Sequence, residues 1–308
     1  MSNARKIHFA GLGDRSMNDL AIELKKAGHT ITCSFDEITG PEQDKLLRHN
    51  ILNTKVEGEK IDHTVQAVIV SPHIDKDSLE IRRAQELKLP VFSVPEFVYD
   101  VSKDKQRVVV TGNHGKALIT ALIIHVLAFN KRKFDYFAGG RPHGFEGVVK
   151  LSDAPVIIIE GQDVSASAWD PTPSFLKYHH HIGVINGIEW QSSSLYPTRD
   201  EYVRQFGHFG ASTPKGGALI YFELDPVVTA LPNMNKPDVV FVPYKTHPSV
   251  FEGGQEYLVT PEKTKLPLKI SGKHNMQNIS AALETLKRIG VTNDMFYQAV
   301  PSFEPTAH

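Results

Sequence analysis

The sequence is poor in cysteine and has no long apolar segment. Its single cysteine, Cys33, excludes an internal disulfide and favours a reducing compartment. Because Cys33 lies in the apolar stretch HTITCSF, we expect it to pack in a core. No run of about 18 apolar residues could cross a bilayer, and no secretory signal opens the chain. We therefore expect a cytoplasmic protein without membrane contact.

The chain also lacks a charge excess of either sign. Its 308 residues include 34 Lys and Arg against 35 Asp and Glu. A nearly neutral chain sets up no field that would recruit nucleic acid, so we expect no nucleic-acid partner. The length exceeds that of an ordinary single core and suits two domains.

Short apolar runs alternate with amphipathic stretches over the first hundred residues. This alternation indicates βαβ units and a parallel sheet, and predicts a Rossmann-like domain over residues 1–100. The predicted strands are KIHFAGLG, HTITCSF, VQAVIVSP and VFSV, and the predicted helices are SMNDLAIELKKAG and 78–87.

The same pattern restarts after the polar stretch 100–106 and predicts a second α/β domain over residues 107–308. Its predicted strands are RVVVT, DYFAGG, APVIIIEG, HIGVIN, GGALIYFEL, DVVFVP and QEYLVT. Long helices are expected after GNHGK, around 199–209 and over HNMQNISAALETLKRIG. We expect this last helix to be the final clear element, and the chain to end without another domain.

The loop GLGDRS, at residues 11–16, carries two glycines between a strand and a helix. Gly11 and Gly13 match the first two glycines of a dinucleotide turn, which brings backbone amides and a helix N-terminus to a diphosphate. The third glycine position holds Ser16, and Asp14 places a negative charge where an anion should bind. A tight turn from strand to helix explains the two glycines equally well.

The loop GNHGK, at residues 112–116, follows the strand RVVVT. It lacks the first glycine of a full Walker A motif, since that position is Val110, but it has the shorter G-x-x-G-K form. Its amides can form an anion nest, and Lys116 can reach terminal phosphates. The next residue is Ala117, which has no hydroxyl for a metal. The alternative is a helix start with a solvent-exposed lysine.

Two places in the sequence carry side chains of types that bind metals. Glu160 ends the apolar run PVIIIE at the sheet edge where ligands bind in open α/β folds, so it is a candidate Mg²⁺ ligand. An acidic strand end facing water is the other interpretation. His179, His180 and His181 are adjacent and cannot all converge on one ion, which favours a mostly exposed loop.

Several motifs occur in the order seen in a known enzyme family. They are KIHFAGLG with Met17, VIVSPHI, VTGNHGK, YFAGG, IIIEGQD, VINGIEW and SGKHNMQNISAAL. Together they resemble the Mur ligases, which are ATP-dependent enzymes of peptidoglycan synthesis. The resemblance covers essentially the whole chain. It is strongest to the branch that includes UDP-N-acetylmuramate:L-alanine ligase and murein peptide ligase.

The resemblance implies that ATP phosphorylates a carboxylate and that an amine then attacks the acyl phosphate. It assigns the catalytic role to Lys116 and the role of Mg²⁺ ligand to Glu160. It also implies a UDP-N-acetylmuramate-like sugar nucleotide as substrate. Nucleotide contacts are implied for Gly112, Asn113, His114, Gly115, Lys116, Asn275 and Asn278. Sugar-nucleotide contacts are implied for Gly11, Gly13, Asp14 and Ser71.

The chain departs from the family pattern at several catalytic positions. Ala117 replaces a Thr or Ser that holds Mg²⁺, and Gln162-Asp163 replaces an Asp-Glu pair. Gln191-Ser192 replaces an Asp-His pair, of which the histidine binds a second metal. Gly13-Asp14 replaces a Gly-Gly pair, and the family's third domain is missing from the sequence. These departures predict that binding of both ATP and Mg²⁺ is weak or lost.

Three hypotheses for function follow. The first is a Mur-type ligase, and the second is a non-catalytic homologue that retains a nucleotide or UDP-sugar pocket and acts through a partner. The third is a dinucleotide oxidoreductase, which GLGDRS alone suggests and the other motifs contradict. Turnover of ATP with UDP-N-acetylmuramate and alanine separates the first two.

Overall fold

A computed structural model describes residues 4–35, 38–52, 61–232, 234 and 236–305. The first part of the chain forms a four-stranded parallel sheet in the order β2-β1-β3-β4. Its strands are β1 (Lys6–Ala10), β2 (Thr30–Cys33), β3 (Ala67–Val70) and β4 (Val91–Ser93). Its helices are α1 (Arg15–Lys26), α2 (Gly40–Arg48), α3 (Leu79–Glu86) and α4 (Val94–Asp100).

The second part is built on a seven-stranded sheet in the order β13-β12-β11-β5-β8-β6-β7, parallel except for β7. The strands from residue 106 onward are β5 (Gln106–Thr111), β6 (Asp135–Phe137), β7 (Val149–Lys150), β8 (Val156–Glu160), β9 (Ser165–Ser167), β10 (Asp170–Pro173), β11 (Ile182–Ile185), β12 (Ala218–Phe222), β13 (Val240–Tyr244), β14 (Ser249–Glu252), β15 (Gln255–Val259) and β16 (Lys265–Pro267). Strands β9 and β10 form a hairpin, and β14, β15 and β16 form an antiparallel sheet.

The helices of the second part are α5 (Lys116–Phe129), α6 (Ser174–Lys177), α7 (Arg199–Ser212), α8 (Pro226–Thr229), α9 (Lys273–Arg288) and α10 (Asn293–Ala299), followed by a short 3-10 helix at Val300–Ser302. The central strand β5 is buried on both faces. Val108 and Val110 pack in one apolar cluster with α5 and α9, whereas Val109 packs in another that extends to β1 and α1. Alternate side chains of a strand point to opposite faces, so the run VVV supplies both cores.

Polar contacts join the first part of the chain to the second. The buried carboxylate of Asp19 on α1 accepts a hydrogen bond of 2.7 Å from the Val148 amide and pairs with Lys45 of α2. On another side, Lys177 of α6 lies 3.3 Å from the carboxylate of Glu96 on α4. A buried carboxylate must be paired, so the contacts of Asp19 specify how α1 meets the larger sheet, whereas the partly exposed pair of Glu96 and Lys177 contributes little.

The structure confirms the predicted α/β class with mostly parallel sheets. Each predicted strand and helix is present, with ends shifted by a few residues. The expectation that α9 is the last element was wrong, because α10 follows, capped by Thr292 and burying Phe296. The predicted domain limits stay a prediction. No helix among the described residues is both long and apolar enough to span a membrane.

The expectation of a mostly exposed histidine loop was wrong for one of its three residues. His180 is buried, stacks on Phe209 with ring centroids 3.9 Å apart, and its Nε2 lies 2.8 Å from the Thr213 hydroxyl. Burial, with the neighbouring histidines, lowers the pKa of His180 to about 3. The side chain is therefore a neutral core residue, because an apolar site disfavours the charged imidazole.

Candidate nucleotide phosphate site

Both glycines of the loop between β5 and α5 are closely packed against neighbouring residues. Gly112 and Gly115 have φ angles of +114° and +76°, which only glycine adopts without strain. A side chain on Gly112 would lie 2.8 Å from backbone atoms of Asn186, and one on Gly115 would overlap the amide of Asn278. The two glycines are therefore required both for the turn and for this close approach.

Strand order explains why Asn186 lies against the loop. Strand β11 pairs with β5 in a register that places Ile185 opposite Thr111, so the next residues, Asn186 and Gly112, are neighbours. The Asn186 amide nitrogen donates to the His114 carbonyl and to Oδ1 of Asn278, the latter at 2.8 Å. Asn278 itself comes from α9. A buried side-chain network thus packs against the loop and holds it.

The N-terminus of α5 has no side-chain cap. Its cap residue is glycine, no capping hydrogen bond from a side chain is found in the described part of the chain, and its first turn has no acidic residue. Lys116, half-buried at the first position, donates to the Gly112 carbonyl at 3.3 Å. Exposed helix amides and one ammonium beside a glycine-bounded turn are the groups that bind phosphate oxygens.

The N-terminus of α1 has the opposite arrangement. The Asp14 carboxylate accepts from the Met17 amide at 3.0 Å and from the Ser16 hydroxyl at 2.5 Å, so it caps the helix. An intramolecular carboxylate therefore takes the place of an external anion. Gly11 and the buried Ser71 do come together at the ends of β1 and β3, where a side chain on Gly11 would lie 3.2 Å from Ser71.

Glu160 is buried at the end of β8, next to β5 in the sheet. Its Oε2 accepts from the Gly139 amide at 2.9 Å, and its Oε1 accepts from the side-chain amide of Gln162 at 2.8 Å. Both oxygens are thus engaged by neutral donors. Gln162, at a position where the resemblance implies an acidic residue, supplies one of them.

The other positions implied for metal binding offer little oxygen. Ala117 has no side-chain oxygen, and Ser192 lies exposed on the loop after β11. No cluster of three or more His, Cys, Asp or Glu in the described part of the chain could hold a metal. Mg²⁺ requires near-octahedral oxygen coordination, usually with one or two carboxylates besides phosphates and water. Of the positions that the resemblance implies for Mg²⁺, Glu160 alone carries a carboxylate.

Two further predicted residues have local contacts. The Asn275 amide donates to the Ser271 carbonyl at 2.8 Å in the first turn of α9. Oδ1 of Asn113 accepts from the Glu189 amide at 2.6 Å, and the exposed side chain of Glu189 pairs with His114 at the mouth of the loop. Glu189 lies within VINGIEW, in the loop that follows β11, and is not among the predicted site residues.

Sequence reasoning also missed Asn186 and Tyr244. Asn186 is the last residue of the predicted strand HIGVIN and directly follows β11, and a polar residue at a strand end is a signal that could have found it. Tyr244 ends β13, and its hydroxyl donates to Oδ1 of Asn186. Nothing local marks this tyrosine, because its proximity to the loop depends on the strand order. The fold and this loop define the class as an α/β protein with a glycine-bounded loop between a central strand and a helix.

Comparisons with known proteins narrow that class. The chain is 26% identical over 312 residues to UDP-N-acetylmuramate–L-alanine ligase of Caldicellulosiruptor bescii, covering 97% of this chain and 66% of that protein. A murein peptide ligase structure from Neisseria meningitides matches with a TM-score of 0.86 at 18% identity, covering 99% of this chain and all of that one. Thermotoga maritima UDP-N-acetylmuramate–alanine ligase matches with a TM-score of 0.74 at 22% identity, covering 98% and 69%. No family model matches the sequence.

These likenesses confirm the resemblance to the Mur ligases. The chain has the Mur ligase fold and is homologous to UDP-N-acetylmuramate–L-alanine ligases over nearly its whole length. It spans about two thirds of the length of these relatives, and 66% of the Caldicellulosiruptor bescii protein.

Proposed function

We propose that this chain is a Mur-type ligase homologue that binds ATP or ADP weakly and nearly independently of Mg²⁺. The observation that best supports this proposal is the N-terminus of α5, which has no side-chain cap and has Lys116 at its first position. Gly112 and Gly115 pack there on the buried residues Asn186 and Asn278. Backbone dipoles and one ammonium attract phosphate oxygens without a metal. The chain by itself does not carry out amide ligation.

The contacts of Glu160 support the weak metal dependence. The Gly139 and Gln162 donors already use one lone pair on each oxygen of the buried Glu160 carboxylate, and neither Ala117 nor Ser192 adds a strong Mg²⁺ ligand beside it. Without a cation, the charge that develops during phosphoryl transfer is left to Lys116 and the loop amides. Phosphoryl transfer depends almost entirely on such charge stabilisation, so turnover is expected to be lost before binding.

The relatives are named as ligases of UDP-N-acetylmuramate, and a related sugar nucleotide is the substrate class we propose for the ends of β1 and β3. Gly11 and Ser71 lie together there, but the Asp14 carboxylate occupies the helix N-terminus that a diphosphate would use. Binding of the sugar nucleotide is therefore weak.

Calorimetry with ATP in EDTA and in excess Mg²⁺ tests the nucleotide proposal. We expect the two dissociation constants to agree closely, and no phosphate release or amide product with UDP-N-acetylmuramate and alanine. The double variant Ala117→Thr, Ser192→His should make ATP binding metal-dependent before it restores turnover. Ala117→Thr with Ser194→His, altered on the same exposed loop, is the matched control. Mg²⁺-dependent amide formation by the unmodified chain would overturn the proposal.

A further inference from the structure

Tyr244 is buried at the end of β13, on the far side of β12 from the strand that carries Asn186. Its hydroxyl donates to Oδ1 of Asn186, and the Gln277 side chain of α9 also reaches it. Burial raises the pKa of Tyr244, so the phenol stays protonated and able to donate. Neither Tyr244 nor Asn186 lies among the residues that the motifs assigned to the nucleotide.

The Asn186 amide is used on both its oxygen and its nitrogen. Its nitrogen donates to the His114 carbonyl and to Oδ1 of Asn278, while its oxygen accepts from Tyr244. A rotated amide would place its oxygen against the His114 carbonyl oxygen, two acceptors in contact with no proton between them. The His114 carbonyl, which can only accept, therefore selects the rotamer in which Asn186 donates toward the loop, and the Tyr244 hydroxyl anchors the oxygen of the amide in that rotamer.

We propose that Tyr244 is a positioning residue of the phosphate loop and acts through Asn186. By anchoring the oxygen of that amide, it holds the His114 carbonyl and Asn278 in place, and Asn278 packs directly on Gly115. Fixed loop amides need no rearrangement when a phosphate binds, so the hydroxyl contributes to anion affinity without touching the anion. This inference rests on the proposed function of the loop.

Removing the hydroxyl with Tyr244→Phe tests the proposal, with ATP and inorganic pyrophosphate as ligands in EDTA. We expect both dissociation constants to rise roughly five- to twentyfold, the scale of one buried hydrogen bond. Tyr136→Phe is the matched control, because Tyr136 is equally buried and donates to the Gly147 carbonyl at 3.1 Å, away from the loop. The control should leave both affinities unchanged. Unchanged affinities in Tyr244→Phe would overturn the proposal.

A double-mutant cycle separates positioning from general destabilisation. If Tyr244 acts through Asn186, adding Tyr244→Phe to Asn186→Ala should weaken pyrophosphate binding no further than Asn186→Ala does alone. Additive losses would show that the tyrosine acts by another route. This comparison also guards against a single variant that folds poorly.

Amide hydrogen exchange in the ligand-free protein gives a readout that does not depend on nucleotide binding. Exchange over residues 112–116 should be faster in Tyr244→Phe than in wild type and unchanged in Tyr136→Phe. If the wild-type protein binds neither ATP nor pyrophosphate, the proposed function fails. The exchange rates still decide the positioning role, and equal rates in wild type and Tyr244→Phe would refute it.

Discussion

Replacing Lys116 with alanine is expected to weaken ATP binding roughly 10- to 100-fold, because a charge-assisted hydrogen bond contributes about 1.5–3 kcal/mol. The ammonium is half-buried, lies 3.3 Å from the Gly112 carbonyl, and forms no salt bridge with any carboxylate among the described residues. At about 4 Å and an effective permittivity of about 20, its attraction to one phosphate charge is about 4 kcal/mol. Partial exposure and phosphate hydration reduce that upper value to the range given.

Titration calorimetry with ATP in EDTA measures this loss, and Lys133→Ala is the matched control. Lys133 is exposed beyond the far end of α5, whose 14 residues extend about 21 Å, and its removal changes the net charge equally. That separation exceeds the Debye length of about 8 Å at physiological salt, so the control should bind ATP with almost wild-type affinity. Equal losses in the two variants would indicate a general charge effect. Unchanged affinity in Lys116→Ala would refute the phosphate site.

Three further outcomes are expected. Asp14→Gly should tighten UDP-N-acetylmuramate binding about fivefold by removing a like charge, while costing only a few tenths of a kcal/mol in folding stability; unchanged affinity would place the sugar nucleotide elsewhere. Glu189→Gln should raise ATP affinity about two- to fivefold at low salt and lose that effect at high salt, since the carboxylate is exposed at the loop mouth; a gain that persists at high salt would contradict a screened charge. Burial lowers the pKa of His180 in the folded state to about 3, against an ordinary 6.5. Its contribution to the free energy of unfolding is therefore complete above pH 6.5 and is lost as pH falls toward 3. His180→Gln should therefore reduce the slope of unfolding free energy against pH between 6 and 4 by up to about 1.4 kcal/mol per unit, and equal slopes in urea titrations would disprove this.

Much of the scaffold follows from the sequence because its signals are local. The run RVVVT is apolar at consecutive positions, which predicts a strand buried on both faces. In the structure β5 is covered by α5 and α9 on one face and by α7 and neighbouring helices on the other. GNHGK places two glycines and a lysine between that strand and a helix. Each of these properties depends on residues adjacent in the chain, so the loop, the helix start and Lys116 could all be predicted.

The environment of the loop could not be predicted in the same way, because it depends on which strands become neighbours. Only the order β13-β12-β11-β5 brings Tyr244 to Asn186 and Asn186 to Gly112. The same holds for one oxygen of Glu160, which accepts from the amide of Gly139 after the neighbouring strand β6, whereas Gln162, two residues along the chain, is a local partner. Residue types and periodicity specify which elements form. The packing of distant elements decides which hydrogen bonds a buried polar group makes, because its partners come from parts of the chain that only the tertiary structure brings together.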